Sequence, residues 1–150
     1  MKSIKELYRI GNGPSSSHTM GPRKAAQLFA NDFPCAARFT VTLYGSLAAT
    51  GKGHLTDVAI MQVLEPLAPT TIVWLPSTYL PFHPNALKLE AYDAGNKLLE
   101  TWTLYSVGGG ALSDGQKIIG LSEDQERDIY PMSTLTEVMD WCERTGKSYW

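Results

Sequence analysis

The 150-residue sequence predicts an α+β domain in which helices pack on a mixed, largely antiparallel sheet, and three observations carry that reading. Arg38-Phe39-Thr40-Val41-Thr42-Leu43-Tyr44 alternates apolar with polar, which is the pattern of a half-buried strand. The strand-like runs 86–92 and 98–105 are joined by Asp93-Ala94-Gly95-Asn96, so they read as an antiparallel hairpin. Good helix formers follow two glycine-bearing loops, and helices and strands therefore interleave irregularly, without the strict alternation of a parallel α/β sheet.

In chain order, Ser3-Ile4-Lys5-Glu6 has capping-box spacing, and Ile4, Leu7 and Tyr8 would form the apolar face of a short first helix ending before Gly11. A second helix is expected from Gly21 to about Ala30, with Pro22 in its first turn and Leu28 and Phe29 in the core. After the strand 38–44, Ser46 to Ala49 suits a short helical turn. Gly51-Lys52-Gly53-His54 then leads into a third helix, with Thr56 as its cap, 57–64 as its body and Pro66 as its stop.

Thr71-Ile72-Val73-Trp74-Leu75 is β-leaning, and Pro76, Pro81 and Pro84 make the next stretch irregular. Beyond the hairpin, Ser106-Val107-Gly108-Gly109-Gly110 predicts a bulge or a close backbone approach. The stretch 113–128 reads as a mobile connection with a short strand at 117–119. Thr134 to Glu137 repeats the capping-box spacing before a last helix that Gly146 closes.

Composition bounds the function. At 43% hydrophobic content the chain is sized for one well-buried domain. Thirteen basic and fifteen acidic residues announce neither a nucleic-acid nor a membrane footprint, and a small-molecule chemistry fits better. The start lacks the apolar core of a signal peptide, and no apolar run approaches the ~20 residues that a bilayer span needs, so a cytoplasmic protein is expected. Cys35 and Cys142 lie far apart, without metal-ligand spacing, and read as buried or incidental thiols.

One stretch has no packing explanation. Gly11-Asn12-Gly13-Pro14-Ser15-Ser16-Ser17-His18-Thr19-Met20-Gly21-Pro22 sets three hydroxyls, an imidazole and a fourth hydroxyl between two Gly/Pro pairs. Such a stiff loop opening into a helix offers amides, hydroxyls and the positive end of the helix dipole to an anion. Helix capping is the plainer use of the same serines. His54 repeats the setting of His18, between glycines and a helix start, so the two loops are expected to converge. Gly51-Lys52-Gly53 lacks the nucleotide-loop pattern, so nothing in it marks Lys52 as a phosphate ligand.

The segment Ile10 to Pro22 closely resembles the opening motif of the iron–sulfur-dependent L-serine dehydratases, in their β domain or β subunit. Gly45-Ser46-Leu47-Ala48-Ala49-Thr50-Gly51-Lys52-Gly53-His54-Leu55-Thr56-Asp57 is a second match, and His83-Pro84-Asn85 a weaker third. The resemblance implies a domain similar to the allosteric substrate-binding domain of some phosphoglycerate dehydrogenases. It implies conversion of L-serine to pyruvate and ammonia with a [4Fe-4S] cluster whose cysteines belong to an α domain or subunit.

Carried onto this sequence, the resemblance makes His54 the first candidate for the base that removes the α-proton, with His18 as its partner or as a carboxylate-positioning donor. A histidine suits that work because its ordinary pKa is ~6.5. Ser15, Ser16, Ser17, Thr19 and Gly13 would hold the substrate, and His83 and Asn85 are secondary candidates, with a turn role the alternative for His83. Residues 1–146 would form the β domain and 147–150 the start of a linker toward the absent α domain, with a homodimer left open. Asn12 and Leu55 depart from the family pattern, which often has an apolar residue and a glycine there. A non-catalytic module sensing serine or another small carboxylate is the competing function.

Overall fold

The computed structural model describes residues 11, 13–119 and 130–148. The chain divides into two compact units, residues 9–120 and a smaller one made of residues 121–150 with 1–8. The first expected helix and most of the stretch 113–128 lie outside the described residues.

In the larger unit a π-helical turn, Ser16–Met20, runs directly into α1, Gly21–Asp32. Then come β1, Arg38–Tyr44; α2, Gly45–Thr50; α3, Thr56–Leu64; and β2, Thr70–Leu75. They are followed by β3, Asn85–Tyr92; β4, Leu98–Gly108; β5, Ala111–Ser113; and β6, Ile118–Ile119. The strands form one six-stranded sheet in the order β2-β1-β3-β4-β5-β6, in which β1 and β2 are parallel and every other pair is antiparallel. The architecture is thus the predicted α+β one.

The alternation read at 38–44 sets the layers. Phe39, Val41 and Leu43 share a face with Leu87, Leu89 and Leu104 across the ladder, and all are buried. Ala25, Ala26 and Phe29 of α1, with Ile60 and Leu64 of α3, complete that core. Phe29 is fully buried and touches the rings of Phe33, Phe39 and Trp102. The opposite face of the same strands is polar and carries the half-buried Lys88–Glu90 ion pair at 3.1 Å.

Two expectations are corrected, at Thr56 and at the cysteines. Thr56 does not cap α3: the cap position is Leu55, in the left-handed conformation at φ 56°, and the Thr56 hydroxyl is used elsewhere. The bulge expected at the glycine run is present as a register shift between Ser106 and Gly108, and the three glycines, all with positive φ, also turn β4 into β5 as a further hairpin. The short strand expected at 117–119 is β6, and before it a turn forms in which Asp114 accepts from the amides of Gln116 and Lys117. Neither cysteine is buried, since Cys35 is exposed and Cys142 partly so.

In the smaller unit α4, Leu135–Thr145, begins with the predicted capping box between Thr134 and Glu137 and ends at Gly146 with φ 65°. An open cavity of about 630 Å³ lies within this unit, lined by Pro131, Met132, Glu137, Asp140, Trp141, Glu143 and Arg144, and contains no histidine. Among the described residues no helix is long and apolar enough to cross a membrane.

Candidate functional site

The two histidine loops do converge. The rings of His18 and His54 lie with centroids 4.8 Å apart and planes tilted by 36°. They arrive there differently, however, because His18 sits inside the π turn whereas His54 precedes α3. A π turn is rare and recurs at functional sites. Here the Ser15 carbonyl accepts from the amides of Thr19 and Met20, and the Ser16 carbonyl from that of Gly21. The amides expected to hold an anion at the start of α1 are therefore occupied. Ser15 caps the turn instead, its hydroxyl accepting from the His18 amide at 3.1 Å.

Two threonines lock the loops to each other reciprocally. The buried Thr19 hydroxyl donates to the His54 carbonyl at 2.8 Å, and the Thr56 hydroxyl donates to the His18 carbonyl at 2.5 Å. Thr19, expected at the substrate, is thereby turned inward and serves the clasp. Gly13, with φ 110°, packs so closely on Thr19 that a Cβ would collide with its side chain. Only glycine fits both the backbone and the space. Gly51 is similarly confined: a Cβ there would run into the Leu47 carbonyl, while the Gly51 carbonyl itself accepts from the amides of His54 and Thr56.

Side-chain bonds orient both rings. His54 Nδ1 donates to the Thr50 carbonyl at 3.0 Å, which leaves Nε2 as the nitrogen with a lone pair in the neutral ring. His18 Nδ1 lies 2.9 Å from the Ser17 hydroxyl, and His18 Nε2 is buried without a partner. Burial first, and the neighbouring His54 second, lower the pKa of His18, against a smaller opposing effect of the Ser46 backbone. His18 is accordingly biased toward its neutral form.

The remaining predicted residues divide. Ser16 is exposed, and Ser15 and Ser17 are half-buried at the same turn. His83 Nδ1 accepts from the Asn85 amide at 3.1 Å, which is the turn role weighed for it. Asn85 begins β3, bridges Gly45 and has a buried Oδ1 with no partner. Lys52 is drawn to the Trp74 ring, 5.5 Å from its centroid.

Sequence reasoning missed Ser106. It is fully buried, its hydroxyl has no partner, and it lies against Gly21 at the foot of the π turn. Its burial depends on the strand register and on α1 above it, and its place two residues before the glycine run gave no sign of that. Thr50 was missed as well, because a main-chain carbonyl leaves no trace in residue type. Among the described residues no group of three or more His, Cys, Asp or Glu side chains is arranged to hold a metal ion.

Comparison with known proteins gives the arrangement a context. The family described as serine dehydratase beta chain matches residues 3–74 and 65–117. L-serine dehydratase 1 of Escherichia coli (strain K12) is 31% identical over 99% of this chain and 41% of its own length. L-serine dehydratase of Helicobacter pylori (strain ATCC 700392 / 26695) is 32% identical over 97% of this chain and 41% of its own. That of Streptomyces coelicolor (strain ATCC BAA-471 / A3(2) / M145) is 33% identical over the same shares. The chain thus spans about two fifths of the length of these relatives.

Proposed function

The chain belongs to the serine dehydratase beta chain family, and from that premise we propose that it supplies the substrate-holding and proton-transfer portion of a cytoplasmic L-serine dehydratase. The overall reaction removes the α-proton and the β-hydroxyl of L-serine. The resulting aminoacrylate rearranges and hydrolyses to pyruvate and ammonia.

The observation that supports this reading is the convergence of His18 and His54 with one nitrogen of His54 held by the Thr50 carbonyl and the other free to accept. A general base needs a fixed ring, a lone pair and a place for the substrate carbon within hydrogen-bond reach. His54 meets the first two conditions, its ring held by the Thr50 carbonyl and its Nε2 free to accept. His18, biased toward neutrality, is its positioning partner, and Ser15, Ser16 and Ser17 receive the substrate carboxylate at the open side of the turn.

The [4Fe-4S] cluster of such an enzyme does not fit this chain's own residues. Cys35 is exposed at the end of α1, Cys142 belongs to the smaller unit, and no cluster of metal-binding side chains exists among the described residues. The ligands are assigned to an α domain or subunit.

Lys52, Gly53, Leu55 and Ser16 around the two rings are exposed. This supports a site completed by a partner over the enclosed pocket that a serine sensor would use. The test is to combine the chain with its cluster-bearing partner and follow pyruvate formation from L-serine. The combination is expected to turn over and the chain alone is not. Turnover that persists when His54 and His18 are both replaced by alanine would count against the reading.

A further inference from the structure

Three buried side-chain atoms in the described residues lack a hydrogen-bond partner: His18 Nε2, Asn85 Oδ1 and Ser106 Oγ. Orphaned polar atoms of this kind are uncommon and costly, and point to a guest that would satisfy them. Asn85 and Ser106 lie side by side on adjacent strands. Ala86 pairs with Tyr105, so one step further along the same register sets Asn85 opposite Ser106. Alternation places both on the helix-covered face, in line with Leu87 and Leu104. Gly45 bridges Asn85 on one side, Ser106 pairs with Leu112 on the other, and the foot of the π turn covers Ser106 through Gly21.

The chemistry of the pair is complementary to that of the turn above it. Hydroxyls suited to a carboxylate lie at the turn, and the lone pair suited to a carbon-bound proton lies on His54. One charged group of an α-amino acid is left over, the ammonium, which needs acceptors. Asn85 Oδ1 and Ser106 Oγ are unpartnered acceptors sealed from bulk water, where a bond to a cation is stronger than at the surface.

We propose that Asn85 and Ser106 form the ammonium-receiving floor of the site and make it select amino acids over amine-free hydroxy acids. The proposal rests on the dehydratase reading and deepens it. It also explains why the position above Ser106 is glycine: a Cβ on Gly21 would fall on the Ser106 hydroxyl.

The test is NMR titration of this chain with L-serine and with 3-hydroxypropanoate, which is serine without its amine. The unaltered chain is expected to bind serine at least about tenfold more tightly, since a charged hydrogen bond is worth about 1.5–3 kcal/mol. Ser106→Ala and Asn85→Leu should each bring the ratio close to one by weakening serine alone. Asn85→Asp, which keeps an acceptor and adds charge, should preserve the preference. A preference that survives both Ser106→Ala and Asn85→Leu overturns the inference and leaves the dehydratase reading standing. Equal weakening of both compounds, or loss of the preference in Asn85→Asp, overturns it as well. If the chain alone binds neither compound, the same comparison is made by competition on the chain assembled with its cluster-bearing partner, and failure of both compounds to bind there counts against both this inference and the function on which it rests.

Discussion

The Thr56 hydroxyl donates to the main-chain carbonyl of His18 across 38 positions of sequence. With the reciprocal bond from Thr19 to the His54 carbonyl, it makes the separation of the two imidazoles a property of backbone, independent of what the rings themselves touch. Each bond is worth about 0.5–1.5 kcal/mol net, and both threonines are buried, so an apolar substitute of the same shape loses the bond while keeping the packing. Thr19→Val and Thr56→Val should each lower stability by about 1–2 kcal/mol in chemical denaturation. Because both bonds clasp the same pair of loops, the double variant should lose less than the sum of the singles. Strict additivity would mean that the two bonds do not act as one device.

Leu55 occupies the left-handed region at φ 56° with half of its side chain exposed. A side chain costs about 1–2 kcal/mol there, and glycine takes the conformation without strain. Leu55→Gly should therefore leave stability unchanged or raise it by up to about 1 kcal/mol, which thermal unfolding will read. A large loss would show that the Leu55 side chain packs in a way its exposure does not reveal.

Gly21 has a φ of −59°, which any residue adopts, so its requirement for glycine is one of space alone. Gly21→Ala should destabilise by about 1–3 kcal/mol through overpacking against Ser106. Adding Ser106→Gly should recover much of that loss, giving a coupling above about 0.5 kcal/mol in a double-mutant cycle. No coupling would place the clash elsewhere.

Much of this fold was legible because each strand alternates on a sheet with one covered face. Phe39, Val41 and Leu43 identified that face before any partner was known, and the hairpin at 93–96 followed from turn chemistry. Thr56 was misread because a threonine before a helix is ordinarily a cap, and nothing local distinguishes a hydroxyl that bonds a carbonyl 38 residues away. The π turn was equally hidden: residues 16–20 carry no pattern that separates bonds between residues five apart from an ordinary helix start. At the site, the convergence of His18 and His54 was foreseeable from their glycine-flanked settings. The orphaned Ser106 was not, since its burial depends on the strand register and on α1 above it.

His18 links stability to pH. Burial, then His54, lower its pKa in the folded chain, whereas in the unfolded chain it titrates near 6.5. Between the two values the unfolded state binds more protons, so stability rises with pH there. The contribution is fully present above pH 6.5 and is lost as pH falls toward the folded value. The stability difference between the unaltered chain and His18→Gln should accordingly be flat above about pH 6.5 and change below it, in the sense that acid penalises the unaltered chain more. A difference that stays constant down to pH 5 would contradict the assignment.

In the proposed reaction His54 removes the α-proton, and solvent exchange of that proton reports this step alone. In the enzyme assembled with its cluster-bearing partner, L-serine recovered from deuterated water should carry α-deuterium at a rate that His54→Ala lowers by about 10²–10⁴, with folding and cluster content unchanged. His18→Ala should slow exchange less and raise the apparent KM as well, since a positioning partner acts on binding and on geometry together. Native-rate exchange in the His54 variant, with exchange abolished in the His18 variant, would contradict the account and reverse the two roles.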